Sequence, residues 1–336
     1  MGETSIPIWR RILGFSPMPV PAHVFALDGE RLRYAHLPRQ GETFRFRSYR
    51  QTALAPDTFL AGPLGGPLRD PRGFADKVAA LVRTVKEGGT AVKAASLVVP
   101  DGWLRVVFTE SGDLPRNAGA IDEVLRWKLR RLVPFRVDDL RLDATEVMPL
   151  SGQEEPRRLL LGFAVEALLA QLEEAFSAAG VRLGLITNAS LALASALDGP
   201  ARGGASEQRA ELSGLVLADS GSYTLVFRRA GEPVLHRFKA FATSLPDDAR
   251  SGLVERDLRL TRNFLDEHFP GEPHGQLVLV APAELEPLWV DLVDQGLGLR
   301  AVPLDGRQLP PVRAEETTAP WRELAPLLGA VRMEVA

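Results

Sequence analysis

The 336-residue sequence predicts a bilobed α/β protein with an α+β subdomain inserted in its first lobe. A chain of this length is typical of about two domains. The same plan of three consecutive strands, a loop and a long helix occurs at 23–87 and again at 212–268. In both copies the first hairpin turn carries an aspartate and a glycine, in Asp28-Gly29 and in Asp219-Ser220-Gly221. Repetition of one plan indicates two pseudo-symmetric lobes.

The first lobe is predicted over 22–198. His23–Leu27 is an apolar strand that ends in a hairpin turn, and the alternating segments Arg31–Leu37 and Thr43–Tyr49 are two further strands. A loop rich in proline and glycine follows, and apolar residues then recur at helical spacing over 74–85.

The inserted subdomain is predicted at about 95–165. Its helix has Ile121, Val124, Leu125, Leu129 and Leu132 on one face, and Pro134 ends it. Its expected strands are Ala95–Val99, Trp103–Phe108, Leu140–Met148 and Arg158–Val165.

The first lobe closes with two helices and a strand between them. The first helix, at about 166–179, ends at Gly180, which fits a C-cap. The strand Leu183–Thr187 follows, and Asn188 is expected to cap the helix that continues to Leu197.

The second lobe is predicted over 212–336, after a polar linker at 199–211 that is rich in small residues. Its long helix, 247–268, has six apolar residues expected on the buried side: Leu253, Val254, Leu258, Leu260, Phe264 and Leu265. The expected strands and remaining helices are Leu212–Ala218, Tyr223–Arg229, Pro233–Phe238, Gln276–Val280, a helix at Leu285–Gln295, Leu299–Val302 and a helix near Trp321–Val331.

The composition excludes several classes of protein. The chain has no cysteine, which excludes disulfides, thiol catalysis and thiolate metal sites, and its five histidines lack ligand spacing. The formal net charge of −3 provides no general basic field for nucleic acid. No apolar run reaches about 18 residues, and the N-terminus lacks the apolar core of a signal peptide. A cytoplasmic protein is therefore expected.

Residues 1–21 form an N-terminal arm with one short basic and apolar stretch, Ile8–Leu13. Either this arm is a loosely held terminus, or it docks on a membrane surface or a partner.

The two aspartate–glycine turns resemble those of the actin/Hsp70/sugar-kinase ATPase fold, in which such turns face a cleft between two lobes. Glycine lets backbone N–H groups approach a phosphate, and an aspartate holds Mg²⁺ through water. The resemblance implies that Asp28 and Asp219 are the metal residues of a bound Mg-ATP. The nucleotide-binding candidates are Asp28, Gly29, Asp219, Gly221, Ser222 and Thr224.

Over about residues 22–333 the sequence resembles PilM, an actin-like cytoplasmic family of type IV pilus assembly. The family has a helix that ends in Ile/Val-Pro-Phe, then two acidic residues and an aspartate that opens a strand. The matching segments here are Val133-Pro134-Phe135, Asp138-Asp139, Asp143, the strand Leu159–Val165, Ala179-Gly180, the alanine-rich Asn188–Ala194, and the loop from Asp219 to Thr224.

Two loops depart from the family pattern. The segment Asp28–Arg33 has no hydroxyl, and Glu30 adds a negative charge, whose repulsion at about 4 Å from a phosphate amounts to about 1–4 kcal/mol. Either Arg31 or Arg33 is able to compensate for it. The adenosine loop reads Ala281-Pro282-Ala283 where the family has glycines, so the close backbone approach is lost. We therefore expect no bound cofactor, or only weakly bound ATP and magnesium, and no kinase reaction.

The resemblance implies a scaffold at the cytoplasmic face of the inner membrane, peripheral to it, which holds the cytoplasmic tail of a PilN-type membrane protein beside the insert. Other pilus assembly proteins and self-association are further expected contacts. The partner-binding candidates are Trp103, Arg105, Trp127 and Arg130, since Trp and Arg are enriched at interface hot spots. For Trp127 the alternative is a solvated basic face with one packed Trp, and the same ambiguity holds for Trp103 beside Arg105.

Two other functions stay open. One is an active actin-like ATPase, which requires working nucleotide loops. The other is a component like the cytoplasmic part of the type II secretion protein GspL, which continues into a transmembrane helix that this sequence does not contain.

Overall fold

A computed structural model of the chain describes residues 18–335 except 29, 41–42, 61, 63, 113–114, 116, 151–155, 198–211, 243–244, 273 and 315–319. Gly29, most of the N-terminal arm and the expected linker at 199–211 thus lie outside the described residues. In the first half, the strands are β1 (Met18–Pro19), β2 (His23–Leu27), β3 (Arg31–His36), β4 (Arg39–Gln40), β5 (Thr43–Phe46), β6 (Ser48–Ala53), β7 (Ala94–Val99), β8 (Leu104–Ser111), β9 (Leu140–Val147), β10 (Arg157–Val165) and β11 (Arg182–Asn188). The helices there are α1 (Pro71–Glu87), α2 (Ala118–Leu129), α3 (Glu166–Ala178) and α4 (Ala189–Leu197).

The second half is built in the same way. Its strands are β12 (Leu212–Ala218), β13 (Ser222–Arg229), β14 (Glu232–Ala240), β15 (His274–Val280), β16 (Ala301–Pro303), β17 (Val312–Ala314) and β18 (Glu334–Val335). Its helices are α5 (Asp247–His268), α6 (Glu286–Leu297) and α7 (Trp321–Ala330). Two 3-10 turns, at Val137–Asp139 and Gly306–Gln308, complete the elements.

Each lobe is centred on a five-stranded sheet, with the order β11-β7-β2-β3-β6 in the first and β14-β13-β12-β15-β16 in the second. In both, the first strand pairs antiparallel with the second and parallel with the fourth, so the two sheets share one topology. The central strands β2 and β12 are buried along most of their length, as their apolar sequences require. The bilobed prediction is confirmed.

Helices α4 and α7 pack against each other where the two lobes meet. Gly329 of α7 lies so close to the Ala192 carbonyl of α4 that a Cβ there would stand 1.6 Å from its oxygen. The same apolar core includes Val24 and Ala26 of the first sheet and Leu215 and Val226 of the second. The lobes therefore share a core through these two helices.

The insert is a separate antiparallel sheet of order β8-β10-β9, covered by α2. Strand β7, expected in the insert, pairs with β2 and β11 and belongs to the main sheet. The insert therefore starts near Leu104. Helix α2 ends at Leu129 rather than at Pro134, and Leu132, expected on its buried face, is 48% exposed.

Two further expectations are corrected. The third strand of the first sheet is β6, whereas Thr43–Phe46 pairs with β17 and with β4 in a small separate sheet. Alternation shows which side chains share a face but not which strand is the neighbour. In α5, Leu253 and Leu260 are 41% and 49% exposed, because the helix packs through the row that contains Val254, Leu258 and Leu265.

Candidate functional site between the lobes

The two aspartate turns have the same backbone geometry. In the first, Asp28 donates its N–H to the Arg31 carbonyl, and its carboxylate accepts from the N–H groups of Glu30 and Arg31 at 3.1 and 2.7 Å. In the second, Asp219 donates to the Ser222 carbonyl and accepts from the N–H groups of Gly221 and Ser222, both at 2.6 Å. These donors, which a phosphate would need, are thus already satisfied by the aspartate of their own turn.

The two carboxylates differ in the partner that their second oxygen, Oδ2, binds. Asp28 Oδ2 forms a short ion pair with Arg33, whose side chain is only 12% exposed, and lies 3.5 Å from Arg31. Asp219 Oδ2 accepts instead from the Ser222 hydroxyl at 3.0 Å. The first turn is therefore neutralised by a fixed cation, whereas no ion pair to Asp219 occurs in the part of the chain that the structure describes. The Ser220 carbonyl of the second turn accepts from Arg250 at the start of α5 at 2.9 Å.

The third expected nucleotide loop runs directly into α6. The Pro282 carbonyl accepts from the N–H groups of Leu285 and Glu286 at 2.9 and 3.1 Å. Among the described residues, left-handed backbone is confined to Ala230 and six glycines elsewhere, so this loop has no glycine-type turn.

A buried carboxylate that sequence reasoning missed lies between the lobes. Asp101, in the turn after β7, is 6% exposed. Its Oδ1 accepts from the N–H and the hydroxyl of Ser190 at 3.1 and 2.6 Å, and its Oδ2 accepts from the Thr224 hydroxyl at 3.0 Å. The Ser190 hydroxyl also lies 2.9 Å from Nε2 of His236. Asp101 and Ser190 belong to the first lobe, whereas Thr224 and His236 belong to the second.

The environment shifts the pKa of both ionisable members of this group. Burial raises the pKa of Asp101 to about 6, the donors from Ser190 and Thr224 oppose that rise, and the charge of Asp219 adds to it. Burial lowers the pKa of His236 to about 3. At neutral pH, Asp101 is therefore mostly ionised and His236 is neutral.

Thr224 has a different role from the one expected of it. It is 1% exposed and its hydroxyl donates to Asp101. Because the group is enclosed and committed to that bond, it does not face a nucleotide. Asp219, Gly221 and Ser222 remain at the turn itself.

The four expected partner residues lie in two places. Trp103 is half-buried and packs on Phe59, with ring centroids 4.4 Å apart. The Arg105 guanidinium lies 5.4 and 4.8 Å from the ring centroids of Phe135 and Phe238. Trp127, by contrast, is 55% exposed on α2. Arg130, at the end of the same helix, is an exposed residue paired with Asp138 at 2.6 Å.

Within the described part of the chain, no three His, Asp or Glu side chains come together as a metal site. None of the described helices combines the length and apolarity needed to cross a bilayer.

No protein-family model and no curated protein matches the sequence. Among solved structures, the PilM–PilN type IV pilus biogenesis complex matches over 94% of this chain and 98% of that chain, with a TM-score of 0.69 and 16% identity. The chain has the actin-like ATPase fold.

More distant matches include the ethanolamine utilization protein EutJ from Carboxydothermus hydrogenoformans, with a TM-score of 0.46, 11% identity and coverage of 95% and 92% of the two chains. The cytoplasmic domain of EpsL, an inner-membrane component of the type II secretion system of Vibrio cholerae, matches with a TM-score of 0.45, 10% identity and coverage of 92% and 93%.

Proposed function

We propose that this protein is a cytoplasmic actin-like scaffold, peripheral to the inner membrane, that holds the cytoplasmic tail of a PilN-type membrane protein in type IV pilus assembly. The observation that carries the proposal is the match to the PilM–PilN complex over 94% of the chain, which includes the insert. Contacts with other pilus proteins and self-association are part of the same proposal.

The exposed end of α2 is the surface that fits a partner best. Trp127 and Leu132 are 55% and 48% exposed, and the Arg131 guanidinium lies 5.3 Å from the Trp127 ring centroid. The segment 126–136 contains five basic residues and no acidic one. Asp138 and Asp139 offset two of these cations through pairs with Arg130 and Arg136. A tail that brings an apolar anchor and a carboxylate complements this surface.

The geometry of the nucleotide turns supports a binding role rather than catalysis. In both turns the aspartate accepts from the N–H groups two and three residues after it, and the first aspartate is also paired with Arg33. We therefore propose that ATP and magnesium bind weakly or not at all, and that the protein works through its surfaces.

The proposal is tested by titration with a peptide that copies the cytoplasmic tail of the PilN-type protein encoded by the adjacent gene. We expect micromolar affinity, about −8 kcal/mol. Trp127→Ala and Leu132→Ala should each weaken binding by about tenfold, which corresponds to about 1.4 kcal/mol. Leu260→Ala is the matched control, because Leu260 is exposed by 49% on the other lobe. Absence of binding to the wild-type protein at high peptide concentration would refute tail docking, and equal effects of Leu132→Ala and Leu260→Ala would refute the assigned surface.

A further inference from the structure

We propose that Asp101, Ser190, Thr224 and His236 lock the two lobes in one relative orientation, so that the cleft between them does not open and close in solution. This inference is independent of the proposed partner, since it concerns only contacts between the lobes. Three hydrogen bonds between sequence-distant residues connect them: Ser190 and Thr224 each bind Asp101, and Ser190 also binds His236.

The Asp101 carboxylate is the centre of the lock, because both of its oxygens accept hydrogen bonds. Oδ1 binds Ser190 at the start of α4, and Oδ2 binds Thr224 on β13 of the other lobe. Ser190 is fully buried and Thr224 is 1% exposed, so water is not at hand to replace a broken bond. A displacement of either lobe would leave a buried ionised carboxylate short of donors.

The direction of the hydrogen bonds extends the lock to a second strand. The Ser190 hydroxyl has one hydrogen, which it donates to Asp101 at 2.6 Å. It therefore accepts from Nε2–H of His236 on β14, and this assigns the neutral Nε2–H tautomer. The resulting chain from His236 through Ser190 to Asp101 is polarised in one sense, which strengthens each bond in it.

Two buried arginines also form hydrogen bonds between the lobes. Arg158, on β10 of the insert, donates to the Val234 carbonyl on β14 at 2.7 Å. Arg228, on β13, donates to the Ala194 carbonyl near the end of α4 at 2.6 Å. Both arginines are 6% exposed. The second lobe is thus tied to the first both at α4 and at the insert.

The charged and titratable groups near Asp101 are few. Asp219 faces it from the β12–β13 turn, His236 from β14, and Arg105 on β8 lies over the ring of Phe238, which a Cβ on the neighbouring Gly102 would meet at 3.4 Å. No lysine or arginine forms an ion pair with Asp101 among the described residues. The carboxylate is therefore stabilised mainly by the neutral donors that make up the lock.

Spin labels placed in the two lobes test the proposal directly. The chain has no cysteine, so Arg83→Cys on α1 and Asp291→Cys on α6, both exposed, give one label in each lobe of the full-length protein. We expect one narrow distance distribution from pulsed electron paramagnetic resonance. Thr224→Val, which removes only the donor to Asp101, should broaden it or add a second distance. Thr224→Ser, which keeps the hydroxyl, should leave it narrow.

Two outcomes would overturn the lock. One is a broad distribution in the labelled wild-type protein. The other is an unchanged narrow distribution in Thr224→Val and in Asp101→Asn. If Asp101→Asn does not fold, Thr224→Val decides alone, since valine has nearly the shape of threonine and lacks its hydroxyl donor. Ser222→Ala is a further control, because its hydroxyl binds Asp219 within the turn and should leave the distribution unchanged.

Discussion

The Asp28 turn and the Asp219 turn begin from the same geometry and have opposite surroundings. Each aspartate accepts from the N–H groups of the residues two and three positions after it. The first is then paired with Arg33 from its own lobe, whereas the second lies five residues before Thr224, which binds Asp101 of the other lobe. The first turn therefore carries an ion pair within its own lobe, whereas the second turn leads into a strand that binds the other lobe. In each turn, the two N–H groups bound to the aspartate are therefore not available to a phosphate.

The largest expected loss of stability is at the joint between the lobes, which we define as Asp101, Ser190, Thr224 and His236. Asp101→Ala leaves the Ser190 N–H, the Ser190 hydroxyl and the Thr224 hydroxyl without their acceptor in a buried site. The free energy of unfolding should fall by about 3–5 kcal/mol, as measured by urea denaturation. Asp57→Ala, at an exposed ion pair with Arg69, should change it by less than about 1 kcal/mol. Equal losses in the two variants would show that the joint contributes no special stability.

The pH dependence of stability isolates the charge of Asp101. Its pKa is about 6 in the folded protein, above the ordinary value of 3.8, so the folded state binds the proton more tightly. Its contribution is therefore largest below pH 4 and is lost as the pH rises through 6, by up to about 3 kcal/mol. Asp101→Asn should lack this change. The measurement is the difference between the two unfolding free energies from pH 4 to 7, and a difference that does not vary with pH would contradict the assignment.

His236 changes the pH dependence of the unfolding free energy in the opposite direction to Asp101. Its pKa is lowered to about 3 from 6.5, so its contribution is present above pH 6.5 and is lost as the pH falls towards 3. Both the wild type and Asp101→Asn contain His236. Most of its contribution therefore cancels when their unfolding free energies are subtracted. A His236→Gln variant with and without Asp101→Asn checks that the two groups titrate independently.

A smaller effect is expected at the first turn. A double-mutant cycle of Asp28→Ala and Arg33→Ala should give a coupling of about 1 kcal/mol, because the Arg33 side chain is only 12% exposed and part of the pair is screened by water. The same cycle with Arg31, which is 40% exposed and lies 3.5 Å away, should give a coupling near zero. Equal couplings in the two cycles would mean that Arg33 does not neutralise the turn selectively.

The sequence predicts the duplicated plan well because the plan depends on local patterns. Buried strands such as β2 and β12 are apolar runs, and an aspartate that accepts from its own turn is a local signal. Gly180 has a left-handed backbone, as a C-cap requires, and the Asn188 side chain accepts from the Leu191 N–H at the start of α4. Each of these features is decided within a few residues of the chain.

The joint could not be predicted in the same way. Pro100-Asp101-Gly102 is typical of an ordinary turn, and Ser190 and Thr224 lie 89 and 123 residues away from Asp101. Trp103 and Arg105 have the composition of a partner surface, but they are partly covered by Phe59 and Phe238, which are distant in sequence. Only the three-dimensional arrangement separates these residues from the exposed Trp127.

Nucleotide binding is the most direct test of what the two turns have become, and it should give the smallest effect. A ligand at about 100 times its dissociation constant stabilises a protein by about 2.7 kcal/mol, which is a clear increase in melting temperature. With millimolar ATP and magnesium, we expect no resolvable shift and no turnover above background. A clear upward shift that disappears in Asp219→Ala would contradict the account and would establish the second turn as a working phosphate site.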